Sequence, residues 1–400
     1  VTPTWHIITG EYPPQPGGVS DYTRLVARGL ARAGDPVEVW APAGGAYDAC
    51  DTGEAEAEGP SEPERIAIHR LPGRFGPQAL WRLGRALDRA PAPRRLLVQY
   101  VPHAFGWRGG NLPFCLWLRS RRDDSIWVMF HEVKFVAAEA SPPSHAALSA
   151  ATGRMAALVA GRAERAFVSI PGWLPMLAPL LSDRAQASWL PVPSAIAVVS
   201  DPPATAAVRA RYGAGHPIVG HFGTFGRATS ELLEPVLAAI AAKSDCRVLL
   251  LGAGSHDAGQ RLLGAHPALA GRLFATGRLS PADVSHHVSA CDLMLQPYPD
   301  GISSRRTSAM VALAHGRALV TTTGWLTEPF WAESHAVSLA PAGESAALSA
   351  AALATLHDRH RRQELGRRAA ALYDARFDVR HTIAALRLSE SAPAALSAAS

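Results

Sequence analysis

The chain has 400 residues, 48% of them hydrophobic and 18% charged, with a formal net charge of +5. That length suits two domains of about 150–200 residues each, and the balance of apolar and charged residues excludes a disordered chain. The positive charge does not mark a nucleic-acid surface: Lys134 and Lys243 are the only lysines among 39 basic residues, and no basic block is interleaved with aromatics.

Short β-rich runs alternate with longer Ala/Leu-rich helical patterns along the whole chain. A strand is predicted at Trp5–Thr9, then the turn GEYPPQPGGVSDYT (Gly10–Thr23), then a helix over Tyr22–Ala33. Strands follow at Val37–Ala41, Ile66–Arg70, Leu96–Val101, Ile126–Phe130 and Ala166–Ile170, with the acidic, turn-rich Asp51–Glu64 read as an exposed loop. The Pro-rich Leu190–Pro203 is the expected linker, which divides the chain into domains 1–195 and 196–375. In the second half strands are predicted at Ile218–Phe222, Arg247–Leu251, Leu273–Thr276, Leu293–Gln296, Ala318–Thr322 and Ala336–Leu339. The pattern is helical from Ala346 on, and a C-terminal helix and polar tail (376–400) has the option of packing back toward the first domain. Continuous apolar strands separated by helices indicate parallel sheets covered on both faces. The expected fold class is therefore α/β, with two Rossmann-like doubly wound domains.

Cys50, Cys115, Cys246 and Cys291 are scattered and form no C-x-x-C, so neither a zinc site nor a disulfide framework is expected. Reduced thiols in a cytoplasmic enzyme are the default expectation. The chain begins directly with a strand pattern, so no signal peptide is expected, and no run of about 18 apolar residues offers a membrane span.

In open α/β sheets ligands bind beyond the carboxyl ends of the strands, so the turns after strands carry the candidates. Gly17 and Gly18 precede a helix start at Asp21, and glycine lets backbone approach a ligand without a Cβ in the way. His131, followed by Glu132, ends the strand IWVMF; it reads equally as a hydrogen-bonded core residue or a site residue. The second half opens with GHFGTFGR, which contains Gly223, Thr224 and Arg227, and its next strand ends in LGAG at Gly252. His286 and His287 read as a solvated helix face. The stretch PYPDGISSRRTSAMVALAHG (297–316) places Arg305 and Arg306 at the mouth of an apolar helix. One reading is a solvated helix end. The other is an anion site, in which the positive helix end and guanidinium forks hold a phosphate. Neither G-x-G-x-x-G nor a Walker motif occurs. There is also no H-E-x-x-H or Asp-x-Asp, so no metal and no cofactor are expected.

Taken together these residues resemble the GT-B glycosyltransferases, in particular the retaining family 4 group that uses nucleotide-sugar donors. The resemblance runs in order over nearly the whole chain. It implies two domains facing each other across a cleft, the first binding the acceptor and the second the donor. EYPPQPGGVSDYT looks like the family's opening loop, whose glycine pair faces the donor phosphates, and FHE (Phe130–Glu132) matches a strand-end histidine that contacts the donor sugar. GHFGTFGR sits where the second domain meets the diphosphate. Thr276–Tyr298 is similar to the base-binding turn, helix and strand, which implies base or ribose contacts from Gly252, Arg278, Leu279 and Tyr298. The loop Gly301, Ile302, Ser303, Ser304, Arg305, Arg306 and Thr307 falls in the donor-phosphate region. Glu328 lies near a family acidic residue.

The chain departs from the family in two places. The lysine that usually accompanies an arginine in the first loop of the second domain is missing, leaving Arg227. Ser303 and Val311 stand where the family has two glutamates. Arg305 and Arg306 are positioned to supply the missing positive charge. The resulting expectation is metal-independent sugar transfer to an acceptor hydroxyl with retention, with His131, Asp21 and Arg305 as catalytic candidates. The acceptor is a natural product, a glycan or a lipid-linked sugar, and peripheral contact with a membrane stays open. The alternatives are a nucleotide-sugar 2-epimerase of the same fold and a non-catalytic nucleotide-sugar-binding relative.

Overall fold

The computed structural model describes residues 3–15, 17–43, 56–57, 66–135 and 143–388. These residues form two compact units. One runs to Pro191 and takes in the helix Val379–Leu388; the other spans Val192–Asp378.

The first unit is built on eight strands: β1 (Thr4–Thr9), β2 (Val37–Pro42), β3 (Glu56–Ala57), β4 (Ala67–Leu71), β5 (Arg94–Tyr100), β6 (Ser125–Phe130), β7 (Arg165–Val168) and β8 (Gln186–Trp189). Their order in the sheet is β3-β4-β2-β1-β5-β6-β7-β8, parallel except for the β3–β4 pair. Ile7 and Ile8 in β1, and Leu96, Leu97 and Val98 in β5, are all buried. Consecutive burial means that both faces are covered, as parallel sheets require. The helix Gly18–Arg32 buries Tyr22, Val26, Ala27 and Leu30, a stripe at helical spacing. The helix Val379–Leu388 docks on it at Gly29, where a Cβ would lie 2.6 Å from Ile383 Cδ1, and Arg387 pairs with Asp35 at 3.0 Å.

The second unit has six parallel strands: β9 (Ile218–Phe222), β10 (Arg247–Leu251), β11 (Leu273–Ala275), β12 (Leu293–Gln296), β13 (Ala318–Thr323) and β14 (Ser338–Pro341), in the order β11-β10-β9-β12-β13-β14. The order reverses between β9 and β12. Val219, Leu250, Leu293, Leu295 and Val320 form its core with Val236, Leu237 and Ile240 of the helix Arg227–Lys243.

Four expectations are corrected. The strand β8 was missed because QASW is a short, partly exposed edge with no apolar run. β14 begins two residues later than predicted, since Val320 pairs with Ser338 while Ala336 and Val337 are buried ahead of the strand. Glu56–Ala57, inside the expected loop, pairs with β4; residues 51–55 and 58–64 lie outside the described residues. His287 is buried rather than solvated: its Nδ1 hydrogen-bonds the carbonyl oxygen of Asp283 at 2.7 Å, and burial lowers its pKa. Cys115, Cys246 and Cys291 are buried free thiols, while Cys50 and residues 389–400 fall outside the described residues. Among the described residues no helix is long and apolar enough to cross a membrane.

The helix Arg359–Arg376 crosses the turn at Gly316 through Gly366, where a Cβ would run into the Gly316 carbonyl. Gly366→Ala should destabilise the second unit by about 1–3 kcal/mol through this overpacking. Alanine is otherwise favoured in a helix interior by about 1 kcal/mol, so a lowered denaturation midpoint isolates the steric term. An unchanged or raised midpoint would show that the helix can slide.

Candidate active site

In the first unit the candidates lie at the carboxyl ends of β1 and β6. The turn after β1 brings a carboxylate of the chain itself to the N-terminus of the helix Gly18–Arg32. Glu11 Oε1 accepts the N–H groups of Val19 at 3.1 Å and Ser20 at 3.0 Å. Two of the unpaired donors of the helix end are thereby satisfied, and the positive end of the dipole is met. Gly17 is needed there because a Cβ would collide with the Glu11 carboxylate, whereas Gly18 faces open space. The turn is also tied to β4, since Arg70 donates to the Pro13 carbonyl and lies 5.6 Å from the centre of the Tyr12 ring. Asp21 is in the first turn of the helix with its side chain 42% exposed, 3.7 Å from Arg24; partial burial raises its pKa and Arg24 opposes the rise.

His131 is buried. Its Nε2 faces Gln99 Oε1 at 2.9 Å, and its ring meets that of Tyr22 edge-on at 4.9 Å. Burial holds the imidazole down to a pKa of about 3. At neutral pH it is an uncharged hydrogen-bonding group, not a cation.

In the second unit the reversal of strand order between β9 and β12 creates the crevice in which open α/β sheets bind ligands. Gln296 Nε2 donates across it to the Phe222 carbonyl at 3.1 Å, and His221 Nδ1 bonds the Leu295 carbonyl at 2.8 Å. Glycine turns line one side. A Cβ on Gly252 (φ 113°) would strike the Gly223 carbonyl, and the Gly252 N–H reaches the Gly277 carbonyl at 3.3 Å. Thr224 and Arg278 are exposed on these turns and Leu279 is half-buried. Arg227 begins the following helix with its side chain 92% exposed and pairs with Glu231 at 2.7 Å.

On the other side, the loop after β12 is held from below. Gly301 has φ 84°, and its neighbours Ile302, Ser303 and Ser304 are fully buried. The Ile302 N–H donates to the Thr322 carbonyl at 2.8 Å. Glu328 accepts the Ser304 N–H at 2.9 Å, the Ser304 hydroxyl, and Trp331 Nε1–H at 2.8 Å. Burial raises the Glu328 pKa against the pull of these donors. Arg305 and Arg306 follow, just before the helix Thr307–Ala314, and each donates to Asp300: Arg305 to Oδ2 at 2.9 Å, Arg306 to Oδ1. Arg306 also lies over the Tyr298 ring, 4.6 Å from its centre. Tyr298 is buried beneath that guanidinium with its hydroxyl on Ser308 at 2.8 Å. That place makes it a support for Arg306, not an open face for a base.

Comparison with solved structures identifies the architecture. Sucrose-phosphate synthase from Thermosynechococcus elongatus superposes with a TM-score of 0.71 at 19% identity, covering 98% of both chains. Anabaena HepE, solved in complex with UDP and glucose, gives 0.68 at 16% identity over 97% of this chain and 99% of its own. The Escherichia coli trehalose-6-phosphate protein bound with UDP-2-fluoro glucose gives 0.67 at 12% identity over 97% and 98%. The fold is GT-B. No family model and no curated protein sequence matches the chain.

Within this GT-B chain the structure gathers Gly223, Thr224, Gly252 and the loop Gly301–Thr307 around one switch point. His131, Gly17, Gly18 and Asp21 belong to the other unit. Two residues that hold these turns, one in each unit, are not singled out by the sequence reading. Asp300 was legible only as the middle of a Pro-Asp-Gly turn, and Glu11 only as a residue of a proline-rich one. Their role depends on which cationic or N–H groups the chain returns to them, and spacing does not reveal that.

The depressed pKa of His131 yields a test. Between its ordinary value of 6.5 and about 3, the unfolded chain takes up a proton that folded His131 refuses. Its stabilising contribution is therefore complete above the upper limit and declines as the pH falls through that window. His131→Gln should flatten the decline in melting temperature on acidification, measured by calorimetry from neutral to acid pH. An unchanged slope would show that His131 is not the desolvated group described.

Proposed function

We propose that the protein is a glycosyltransferase that moves a sugar from a nucleoside diphosphate donor to an acceptor hydroxyl, with retention and without a metal. One observation carries the reading: the arginine pair and the helix Thr307–Ala314 open at the switch point of the second sheet, opposite the glycine turns after β9 and β10. The solved neighbours support it, since HepE holds UDP or UDP-glucose and the Escherichia coli protein holds UDP-2-fluoro glucose. Retention rests on the resemblance of the sequence to the retaining family 4 group. The arginine pair at the start of the helix Thr307–Ala314 supports a metal-free reading.

In this reading Gly252, Gly277, Arg278 and Leu279 border the base, and the diphosphate lies over the Gly301–Thr307 loop. When the bond from the anomeric carbon to the phosphate oxygen breaks, charge rises on the leaving β-phosphate. The helix N-terminus and a guanidinium meet that charge. Both arginines hold Asp300, but Arg306 also lies over the Tyr298 ring, so we assign the phosphate to Arg305. We assign the acceptor to the first unit, with His131 as a neutral hydrogen-bonding group and Asp21, the more exposed group, as the acid/base partner of the acceptor hydroxyl.

Arg305→Ala should weaken UDP binding and lower kcat. Losing one charge-assisted donor at a leaving group costs about 2–4 kcal/mol, or roughly 30- to 1,000-fold, and lysine restores only part of it. Near-normal kinetics in Arg305→Ala would remove the phosphate assignment. Calorimetric titration with UDP should give the same affinity with and without EDTA; affinity lost with chelator would overturn the metal-free mechanism.

Asp300→Asn should separate binding from stability. It deletes the carboxylate that competes with a phosphate, so UDP should bind more tightly. The unliganded fold should lose about 1–3 kcal/mol as two half-buried guanidiniums lose one charged partner. Weaker UDP binding in this variant would mean that Asp300 orients the arginines for the ligand instead of competing with it.

A further inference from the structure

Eight large apolar side chains are exposed among the described residues, and half of them fall on one part of the first unit: Trp81 at 61%, Trp107 at 54%, Leu112 at 38% and Leu116 at 55%. Single exposed apolar residues are ordinary; a cluster is not. Trp81 stands on the helix Pro77–Arg89, Leu112 and Leu116 on the helix Leu112–Ser120, and Trp107 on the turn leading into the latter.

The two helices lie side by side and in the same direction. At their first ends Asn111 caps the second helix by accepting the Phe114 N–H at 3.0 Å. Its amide donates to the carbonyls of Phe105 at 2.7 Å and Phe75 at 3.1 Å, the latter just ahead of the first helix. In the middle Gly84 admits the Trp117 indole, with a Cβ there only 3.3 Å from its Nε1. At the far ends Arg121 pairs with Asp88 at 2.6 Å. Trp81 and Leu116 thus stand one turn in from ends that are tied together, and the outer face continues into exposed arginines: Arg82, Arg85 and Arg89 on one helix and Arg119 on the other. Arg85 lies 5.2 Å from the centre of the Trp81 ring. Asp88, the one acid on the outer face of these helices, is already matched by Arg121.

We propose that this face docks on an anionic lipid bilayer. Tryptophan and leucine of this face enter the headgroup region, where amphipathic rings are favoured, and its arginines meet the lipid phosphates. Charge decides the occupant. A second copy of the chain would have to lay the same four arginines against themselves, since a two-fold contact is self-complementary. A negatively charged sheet of lipid meets all four at once. The inference rests on the first unit alone and is independent of the donor reading.

Co-sedimentation with vesicles tests it, using phosphatidylcholine alone and equal parts phosphatidylcholine and phosphatidylglycerol. The full chain should bind the mixed vesicles, leave the neutral ones, and be released by high salt. An Arg82→Ala/Arg85→Ala double variant should bind about 25-fold more weakly, from roughly fivefold per arginine near an anionic surface. Trp81→Ala/Leu116→Ala should also lose binding, with unchanged melting temperature because these side chains are exposed. Failure to bind the mixed vesicles, or binding that both double variants retain, would overturn the proposal. So would a concentration-dependent dimer in ultracentrifugation that both variants abolish, which would assign the face to self-association.

Discussion

The loop at the carboxyl ends of the second unit's strands depends on a carboxylate sealed away from water. Ile302, Ser303 and Ser304 turn over the ends of β12 and β13 with no exposure, so their backbone groups must find partners inside the protein. Glu328 meets that requirement with one oxygen on the Ser304 N–H and hydroxyl and the other on Trp331. The Ser304 carbonyl accepts the Val192 N–H at 3.1 Å, and Thr322 both donates to and accepts from Tyr298. A loop held at this many points cannot drift, and it delivers Arg305, Arg306 and the start of the next helix to a fixed place. Burial alone would favour a neutral Glu328; its three donors make the ionised form tolerable.

Internal carboxylates meet positive groups of the chain at two of the turns after strands. Glu11 occupies the N-terminus of the helix Gly18–Arg32, and Asp300 spans the two arginines at the switch point. Each occupies with the chain's own charge a position that helix dipoles and guanidiniums would otherwise offer to solvent ions.

The large arginine content has a structural use that the net charge conceals. Arg94 and Arg121 both grip the buried Asp124 at 2.6 Å. Arg162 donates to the carbonyls of Arg121 and Asp124, Arg272 to those of Ala241 and Cys246, and Arg317 to those of Ser289 and His315. The planar fork lets one side chain collect several carbonyls left unpaired at helix ends and loops. Much of the positive charge is therefore spent inside the fold, which makes the unneutralised arginines beside Trp81 and Leu116 the more distinctive feature.

The strands of both sheets were largely legible in the sequence because a parallel strand buried on both faces is a local signal. Runs such as RVLLL and IIT need no partner to be recognised, whereas QASW at the sheet edge is too exposed to show one. The turns after the strands were legible too, since glycines at left-handed positions such as Gly252 and Gly301 mark where the chain must reverse sharply. The amino-acid sequence by itself thus determined two doubly wound α/β sets and the position of the glycine turns that follow their strands. Tertiary structure alone decided that Asp300 holds both arginines, that Glu11 fills a helix end, that Tyr298 lies under Arg306 and that His287 is buried. Burial and charge pairing are properties of the space around a side chain, and only the folded chain specifies which groups share that space.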